Sequence, residues 1–273
     1  MELDPLSRTA LIPFWARAQD AVSARPVLGD TAAAQLAARV RQRFGEQVVD
    51  RSTRVGCCLR NLLVDRWIAD LVDADTVIVE IGVGLNTRAD RLPVAARQYV
   101  EVDGAQIIEL RDDLLPARGV VRLASDGMDV KRWAHALDAT RPDRVIITLE
   151  GVLAYQPADV VTRFFADAAY AFPGAYLVFD RLSASAAARA NRPSARVDGR
   201  PAYRWSHGKR DGETGIGSVR VVRAQSFMDL PRSLRRHLPL QDRMMHALPP
   251  RRSAFKLLLC QLEPGEGGVL QSW

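Results

Sequence analysis

The sequence contains few cysteines and no long apolar run. Three cysteines in 273 residues, two of them adjacent at Cys57 and Cys58, do not make a disulfide framework, and no group of cysteine and histidine has the spacing of a metal site. No apolar stretch approaches the roughly 20 residues that a transmembrane helix needs. The start of the chain, from Met1 to Asp4, lacks the basic region and apolar core of a signal peptide. We therefore expect a cytoplasmic protein with no metal site and no membrane partner.

Lysine is also scarce, so the formal charge of +6 comes almost entirely from arginine. The arginines are scattered among acidic residues, and the densest group, between Arg232 and Arg252, has no aromatic residues interleaved with it. A nucleic-acid site would combine a basic stripe with side chains that stack on bases or read their edges. The pattern favours a solvated basic face or the rim of a site for an anionic substrate, and we expect no nucleic-acid partner.

The first part of the chain has helical periodicity. Apolar residues recur at helical spacing over Thr9–Ala21. A cap at Asp30 and a stop at Gly45 delimit a second predicted helix, and a third is predicted over Cys57–Leu71. These three helices predict a helical cap ahead of the next, differently patterned region.

The period then changes to that of buried strands, with helix-length segments between them. The predicted strands are 76–81, 99–102, 120–123, 144–149 and 175–179, and the predicted helices include 105–114, 130–139 and 158–172. Strands that alternate with helices at these spacings predict a parallel sheet with crossover helices, which is a doubly wound α/β fold.

Two later strand-like runs, 218–222 and 255–260, complete a count of seven, and we predict that they form an antiparallel pair at the sheet edge. We predict a single domain, 1–273. Its parts are a helical cap at 1–72, a cofactor-binding core at 73–180, a lid or substrate insertion before strand 6 at 181–217, and C-terminal strands at 218–273.

A glycine-rich turn follows the first predicted strand. Gly82 and Gly84 would let a ligand approach the backbone closely at the carboxyl end of the strand. A dinucleotide-binding turn needs G-x-G-x-x-G, and Thr87 occupies the place of the third glycine. Glu80, just before the glycines, suits a cationic ligand such as a sulfonium amino acid and would repel a pyrophosphate.

Carboxylates also follow the next three strands. Asp103 can accept hydrogen bonds from the two hydroxyls of a ribose or cap the following helix, and Glu101 is the alternate carboxylate. Asp126, with Gly127, stands where an adenine amino group would lie, or forms a turn. Glu150 ends an apolar strand and needs a partner because burying it alone is costly; the amino group of a methionine moiety would supply one.

Several segments resemble the leucine carboxyl methyltransferase family, which includes polyketide carboxyl O-methyltransferases of the tetracenomycin kind. In chain order they are SRTA at 7–10 (family S-x-T-A), LRN at 59–61 (L-R-T), IGVGLNTRADRL at 81–92 (G-x-G-x-D-T-R-x-x-R-L), YVEVD at 99–103 (Y-x-E-V-D) and EGVLAY at 150–155 (E-G-V-L-x-Y). The resemblance covers residues 7–180. The chain departs from the family pattern at Asn86, where aspartate is frequent, and at Asn61, where threonine is common.

The resemblance implies a class I, Rossmann-like methyltransferase fold with S-adenosyl-L-methionine as cofactor. It implies that Arg60 pairs with the methionine carboxylate of the cofactor, that Asp103 holds the ribose and that Glu150 binds the amino group. The other cofactor contacts that we expect are Glu80, Gly82, Gly84, Asp126 and Gly127.

The resemblance further implies methyl transfer to a carboxylate of a small-molecule natural product or a peptide. A carboxylate is ionised at pH 7, so we expect residues that position the acceptor and no strong general base. The substrate-side candidates are Tyr155, Arg8 and His207, with Tyr203 and Arg204 beside them.

Three alternatives stay open. Methylation of a phenol or hydroxyl would need a base, which His207 or His135 would supply if it lay at the pocket. A partner subunit that binds the cofactor without turnover would carry the same cofactor residues. An NAD-dependent oxidoreductase is disfavoured by the missing third glycine.

Overall fold

The protein, described here from a computed structural model, is built around one seven-stranded sheet. The structure describes residues 2–92, 95–115, 119–138, 142–192, 201–206, 218–226, 230, 232–235 and 255–263. Within these ranges the strands are β1 (Thr76–Ile81), β2 (Gln98–Asp103), β3 (Val120–Ala124), β4 (Arg144–Leu149), β5 (Tyr176–Leu182), β6 (Val219–Ser226) and β7 (Phe255–Leu262).

The helices lie before, between and after these strands. They are α1 (Leu11–Ala21), α2 (Thr31–Phe44), α3 (Arg51–Leu71), α4 (Arg88–Arg91), α5 (Ala105–Leu114), α6 (Val130–Asp138), α7 (Ala158–Ala171), α8 (Ala184–Ala190) and α9 (Arg232–Arg235), with 3-10 turns at Ser7–Ala10 and Leu153–Tyr155. None of the helices in the described ranges has the length and apolar character needed to cross a membrane.

The sheet order is β3-β2-β1-β4-β5-β7-β6. Strands β1 to β5 are parallel, and β7 runs antiparallel to both β5 and β6. The last residue of β1, Ile81, is in register with Val102 on one side and Leu149 on the other, so these strands end at one edge. The predicted doubly wound sheet and its antiparallel edge pair are confirmed.

Both faces of the sheet are covered, which explains why the central strands read as unbroken apolar runs. Val79 packs in a cluster with Trp133 of α6 and Phe164 of α7. Ile78, the residue before Val79 in β1, packs on the opposite face with Trp67 of α3. The alternation of side chains along a strand therefore buries every residue of β1.

The N-terminal helices α1, α2 and α3 pack together, and the ends of α2 and α3 follow local capping signals. The Asp30 carboxylate accepts a hydrogen bond from the Ala33 N–H at 3.1 Å, and Gly45 ends α2 with a φ of +77°. Helix α3 begins at Arg51, so the predicted start at Cys57 is wrong. The reason is a cap at Asp50, whose carboxylate accepts the Thr53 N–H at 3.1 Å.

The predicted lid region, 181–217, is only partly described. Strand β5 continues to Leu182, and α8 follows. The backbone N–H groups of Arg204 and Trp205 donate to the Ala154 carbonyl at 2.7 and 3.1 Å, which attaches the described stretch 201–206 beside the end of β4. Residues 193–200 and 207–217 lie outside the described residues, so the lid and the domain boundaries stay predictions.

Candidate active site

A cavity of about 1280 Å³ lies at the carboxyl ends of the five parallel strands. Each of these strands, or the loop after it, contributes to the wall, and the N-terminal segment and α3 close other sides. The acidic lining residues are Asp4, Asp50, Glu80, Asp103, Asp126, Glu150 and Asp180, against the cations Arg17 and Arg60. The described part of the lining is therefore acidic, and it lacks the basic rim that the arginine content suggested.

The glycine-rich turn takes a backbone path that side chains would block. Gly82 has a φ of +65°, and a Cβ atom there would lie 2.3 Å from Cγ2 of Val152. Gly84 has a φ of +51°, and its Cβ would meet that of Ala10 at 3.0 Å. Since L-residues rarely adopt these angles and the space is filled, the turn requires glycine at both positions.

Asp103 connects the end of β2 to this turn. Its carboxylate accepts hydrogen bonds from the Gly84 N–H at 2.8 Å and from the Gly104 N–H at 2.7 Å. Burial raises the pKa of Asp103 above its ordinary value, although both N–H groups work against the rise. The alternate carboxylate, Glu101, is held by Arg111 and is absent from the lining, so the side chain at the cavity is that of Asp103.

Glu80 lies under the turn with its carboxylate already engaged. It is 4% exposed and accepts hydrogen bonds from Asn86, Tyr99 and Arg88, the last at 2.7 Å. An aspartate at position 86 would place a second carboxylate against Glu80, so asparagine suits this site better. The role of Glu80 as a cofactor contact stays a prediction, whereas its role in fixing the turn is visible.

Arg88 and Arg91 hold the loop after β1 to helix α3. Arg88 donates to Asp65 at 2.6 Å, to Glu80 at 2.7 Å and to Glu150, and it is 1% exposed. Burial lowers the pKa of Arg88, but the three carboxylates outweigh it and the net shift is upward. Arg91 donates to Asp65 at 2.8 Å. Sequence reasoning missed this network. Its signal in the sequence was that both arginines lie within the segment 81–92, which resembles the family pattern.

Arg60 and Glu150 contact each other directly. The sequence analysis predicted that they bind the carboxylate and the amino group of the same methionine moiety. Nε of Arg60 donates to Oε2 of Glu150 at 3.0 Å, and Nη1 donates to Oδ2 of Asp180 at 3.4 Å. Asp180, near the carboxyl end of β5, was not among the predicted site residues. In the sequence it follows the apolar run 175–179, and this pattern of a carboxylate after an apolar run was the signal that could have found it.

The segment after β3 supplies another part of the cavity wall. Asp126 is exposed, and its carboxylate accepts the Met128 N–H at 2.9 Å, which forms the turn that competed with an adenine contact in the sequence interpretation. A Cβ at Gly127 would lie 2.1 Å from Cγ2 of Ile81, so this loop packs directly on the end of β1. Both residues line the cavity.

Only some of the predicted substrate-side residues line the cavity. Tyr155 lines the cavity beside Tyr203, with ring centroids 5.1 Å apart. Arg8 and Arg204 are exposed and do not line it. His207 lies outside the described residues. His135 is exposed on α6 and is also absent from the lining, so it does not supply the base that a phenol acceptor would need.

Solved structures of low sequence identity share this architecture. A DUF574-family protein from Streptomyces avermitilis aligns over 93% of this chain and 96% of its own, with a TM-score of 0.57 and 15% identity. The magnesium protoporphyrin IX methyltransferase of Synechocystis PCC 6803, solved with bound SAH, aligns over 82% of this chain and 93% of its own, with a TM-score of 0.50 and 13% identity. The chain has the class I methyltransferase fold.

No protein-family model matches the chain. Sequence comparison finds relatives that are named as methyltransferases. The tetracenomycin polyketide synthesis O-methyltransferase TcmP of Streptomyces glaucescens is 29% identical over 57% of this chain and 58% of its own length. The S-adenosyl-L-methionine-dependent methyltransferase dpfgK of Gibberella zeae is 27% identical over 56% of this chain and 57% of its own. The chain thus spans little more than half the length of these relatives, and neither name specifies a carboxyl acceptor.

Proposed function

We propose that this protein is an S-adenosyl-L-methionine-dependent O-methyltransferase that methylates a carboxylate of a small-molecule natural product or a peptide. The observation that carries the proposal is the placement of Asp103 and the Arg60–Glu150–Asp180 group in one cavity on either side of the glycine turn. Strands β2 and β5 are three strand spacings apart in the sheet, which is about 14 Å. S-adenosylmethionine carries its ribose between the adenine and the methionine, so its ribose and its amino-acid end can reach these two sites.

The chemistry of the described lining fits this cofactor. Asp103 offers carboxylate oxygens to ribose hydroxyls, and Arg60 offers a guanidinium to a ligand carboxylate. The excess of acidic residues favours a ligand with a positive sulfonium and disfavours a pyrophosphate. The names of the two sequence relatives agree with methyl transfer.

When bound, the cofactor supplies an electrophilic methyl group. The task of the chain is then to hold the acceptor oxygen in line and to exclude water, and positioning of this kind contributes on the order of 7–11 kcal/mol in favourable systems. The described lining contains no histidine and no lysine, which suits an acceptor that is already ionised. Tyr155 and Tyr203 have hydroxyls that can orient the acceptor carboxylate. Because the lining is acidic, the main electrostatic attraction for that carboxylate comes from the positive sulfonium of the bound cofactor.

Calorimetric titration of the purified protein with S-adenosylmethionine, S-adenosylhomocysteine and NAD tests the cofactor. We expect binding of the two adenosyl ligands and none of NAD. Asp103→Ala should weaken both adenosyl ligands tenfold or more, because hydrogen bonds to a charged group contribute about 1.5–3 kcal/mol. Asp112→Asn, on the exposed side of α5, is the matched control and should leave affinity unchanged. Wild-type protein that binds NAD and neither adenosyl ligand would overturn the proposal.

The acceptor class can be decided by the chemistry of the product. The protein should transfer a labelled methyl group from S-adenosylmethionine to members of an aromatic and aliphatic carboxylic-acid panel. Mild base should then release the label as methanol, since esters hydrolyse under these conditions and aryl methyl ethers do not. The matching phenols without a carboxyl group serve as the control panel. Base-stable label on those phenols would contradict the carboxylate assignment and support the hydroxyl alternative.

A further inference from the structure

Two buried carboxylates share the Arg60 guanidinium. Glu150 lies in the loop after β4, and Asp180 lies on the neighbouring strand β5. Their side chains are 8% and 6% exposed, and that of Arg60 is 14% exposed. An incoming amino acid would therefore meet one cation and two candidate anions within one small region of the cavity wall.

The two carboxylates differ in how completely their oxygens are used. Both oxygens of Glu150 receive arginine donors, Oε1 from Arg88 and Oε2 from Arg60 at 3.0 Å. Asp180 has no second arginine among its described contacts. Its Oδ1 accepts the Gly151 N–H at 2.5 Å, and its Oδ2 has Nη1 of Arg60 at 3.4 Å, near the outer limit of a hydrogen bond.

The electrostatic surroundings of the two groups follow the same division. Burial acts to raise the pKa of Glu150, but Arg88 and Arg60 outweigh it, and the pKa lies below its ordinary value. Burial raises the pKa of Asp180, and Arg60 and the Gly151 N–H offset only part of that rise. The negative charge of Glu150 is thus already balanced by two arginines. A further cation would stabilise the charged form of Asp180 more than that of Glu150.

The geometry of an α-amino acid limits where its two charged groups can lie. Its ammonium and carboxylate are attached to one carbon, so their protein partners must be neighbours. Nη2 of Arg60 has no partner among the described residues and is the donor left for a ligand carboxylate. Among the oxygens of Glu150 and Asp180, Oδ2 of Asp180 has the longest contact, at 3.4 Å, and it already faces the same guanidinium.

We propose that Asp180 accepts the ammonium of the cofactor's amino-acid end, while Glu150 serves to hold Arg60 and Arg88 in place. The inference rests on the proposed function, because it concerns the same ligand. It changes the sequence-based assignment, in which Glu150 had the ammonium-binding role.

The test is a comparison of two ligands on two isosteric variants by calorimetric titration. The ligands are S-adenosylhomocysteine and its desamino analogue, in which hydrogen replaces the amino group. Asp180→Asn keeps a carbonyl oxygen for the Gly151 N–H and should weaken S-adenosylhomocysteine tenfold or more, while the desamino analogue changes less than twofold. Glu150→Gln is the matched control and should weaken both ligands by similar factors, because it loosens Arg60. Thermal unfolding verifies that each variant is folded, and Asp180→Ser replaces the asparagine variant if the latter is not.

Equal weakening of both ligands by Asp180→Asn, or an amino-selective loss in Glu150→Gln, would overturn this assignment and leave the proposed function intact. Wild-type protein that binds neither S-adenosylmethionine nor S-adenosylhomocysteine would overturn both proposals together.

Discussion

Replacing Arg88 by methionine is expected to lower the free energy of unfolding by about 3–5 kcal/mol, the range found when one partner of a buried ion pair is removed. Arg88 is 1% exposed and is the common donor to Asp65, Glu80 and Glu150. Methionine fills much of the same space but leaves these carboxylates in the protein interior with fewer donors. Urea or guanidinium unfolding, followed by circular dichroism, measures the change.

Arg163→Met is the matched control for this experiment. Arg163 faces Asp159 one turn earlier on α7 at 3.9 Å, with both side chains at least 70% exposed. An exposed pair of this kind contributes about 0.3–0.5 kcal/mol, so the control should unfold almost as the wild type does. A loss below about 1 kcal/mol in Arg88→Met would show that the buried network is not what stabilises the loop after β1.

Gly82→Ala is expected to destabilise the fold and to weaken S-adenosylhomocysteine binding tenfold or more. The new Cβ would lie 2.3 Å from Cγ2 of Val152, in a backbone with a φ of +65°. Overpacking costs about 1–3 kcal/mol. A left-handed backbone costs a non-glycine residue about 1–2 kcal/mol more. Gly82 is the first residue of the glycine-rich turn after β1. Relief of the clash must therefore move either this turn or Val152, and both line the cavity. Calorimetry and chemical unfolding measure the two effects.

Two further variants separate the clash from the backbone strain. Gly174→Ala has a φ of +83° and no atom within 4 Å of its Cβ, so it should show the strain alone and unchanged affinity. Adding Val152→Ala to Gly82→Ala removes the Cγ2 atom and should restore part of the lost stability. If Gly174→Ala and Gly82→Ala are equally destabilised and both bind S-adenosylhomocysteine as the wild type does, the close packing of Val152 on the turn does not contribute to binding.

The local patterns of the sequence predicted most of the scaffold. Strands β1 and β4 and helix α5 have the predicted bounds, and Asp30 and Gly45 cap α2 as expected. These features depend on residues within a few positions of one another, either through the alternation of a strand or through a helix end. The predicted start of α3 at Cys57 was wrong because the cap at Asp50 lies ahead of the apolar stripe of the helix.

The sequence by itself determined that five parallel strands end at one edge of a sheet and that glycines or carboxylates follow four of them, because strand period and crossover spacing are encoded along the chain. Only the tertiary structure decided which partners each of those carboxylates has at the cavity. Glu80 accepts a hydrogen bond from Arg88 under the turn, Asp103 accepts the Gly84 N–H, and Asp180 joins Glu150 at Arg60. Arg60 and Asp180 are separated by 120 residues and Arg88 and Glu150 by 62. Contacts over such separations depend on how helices and strands pack, and no local pattern specifies them.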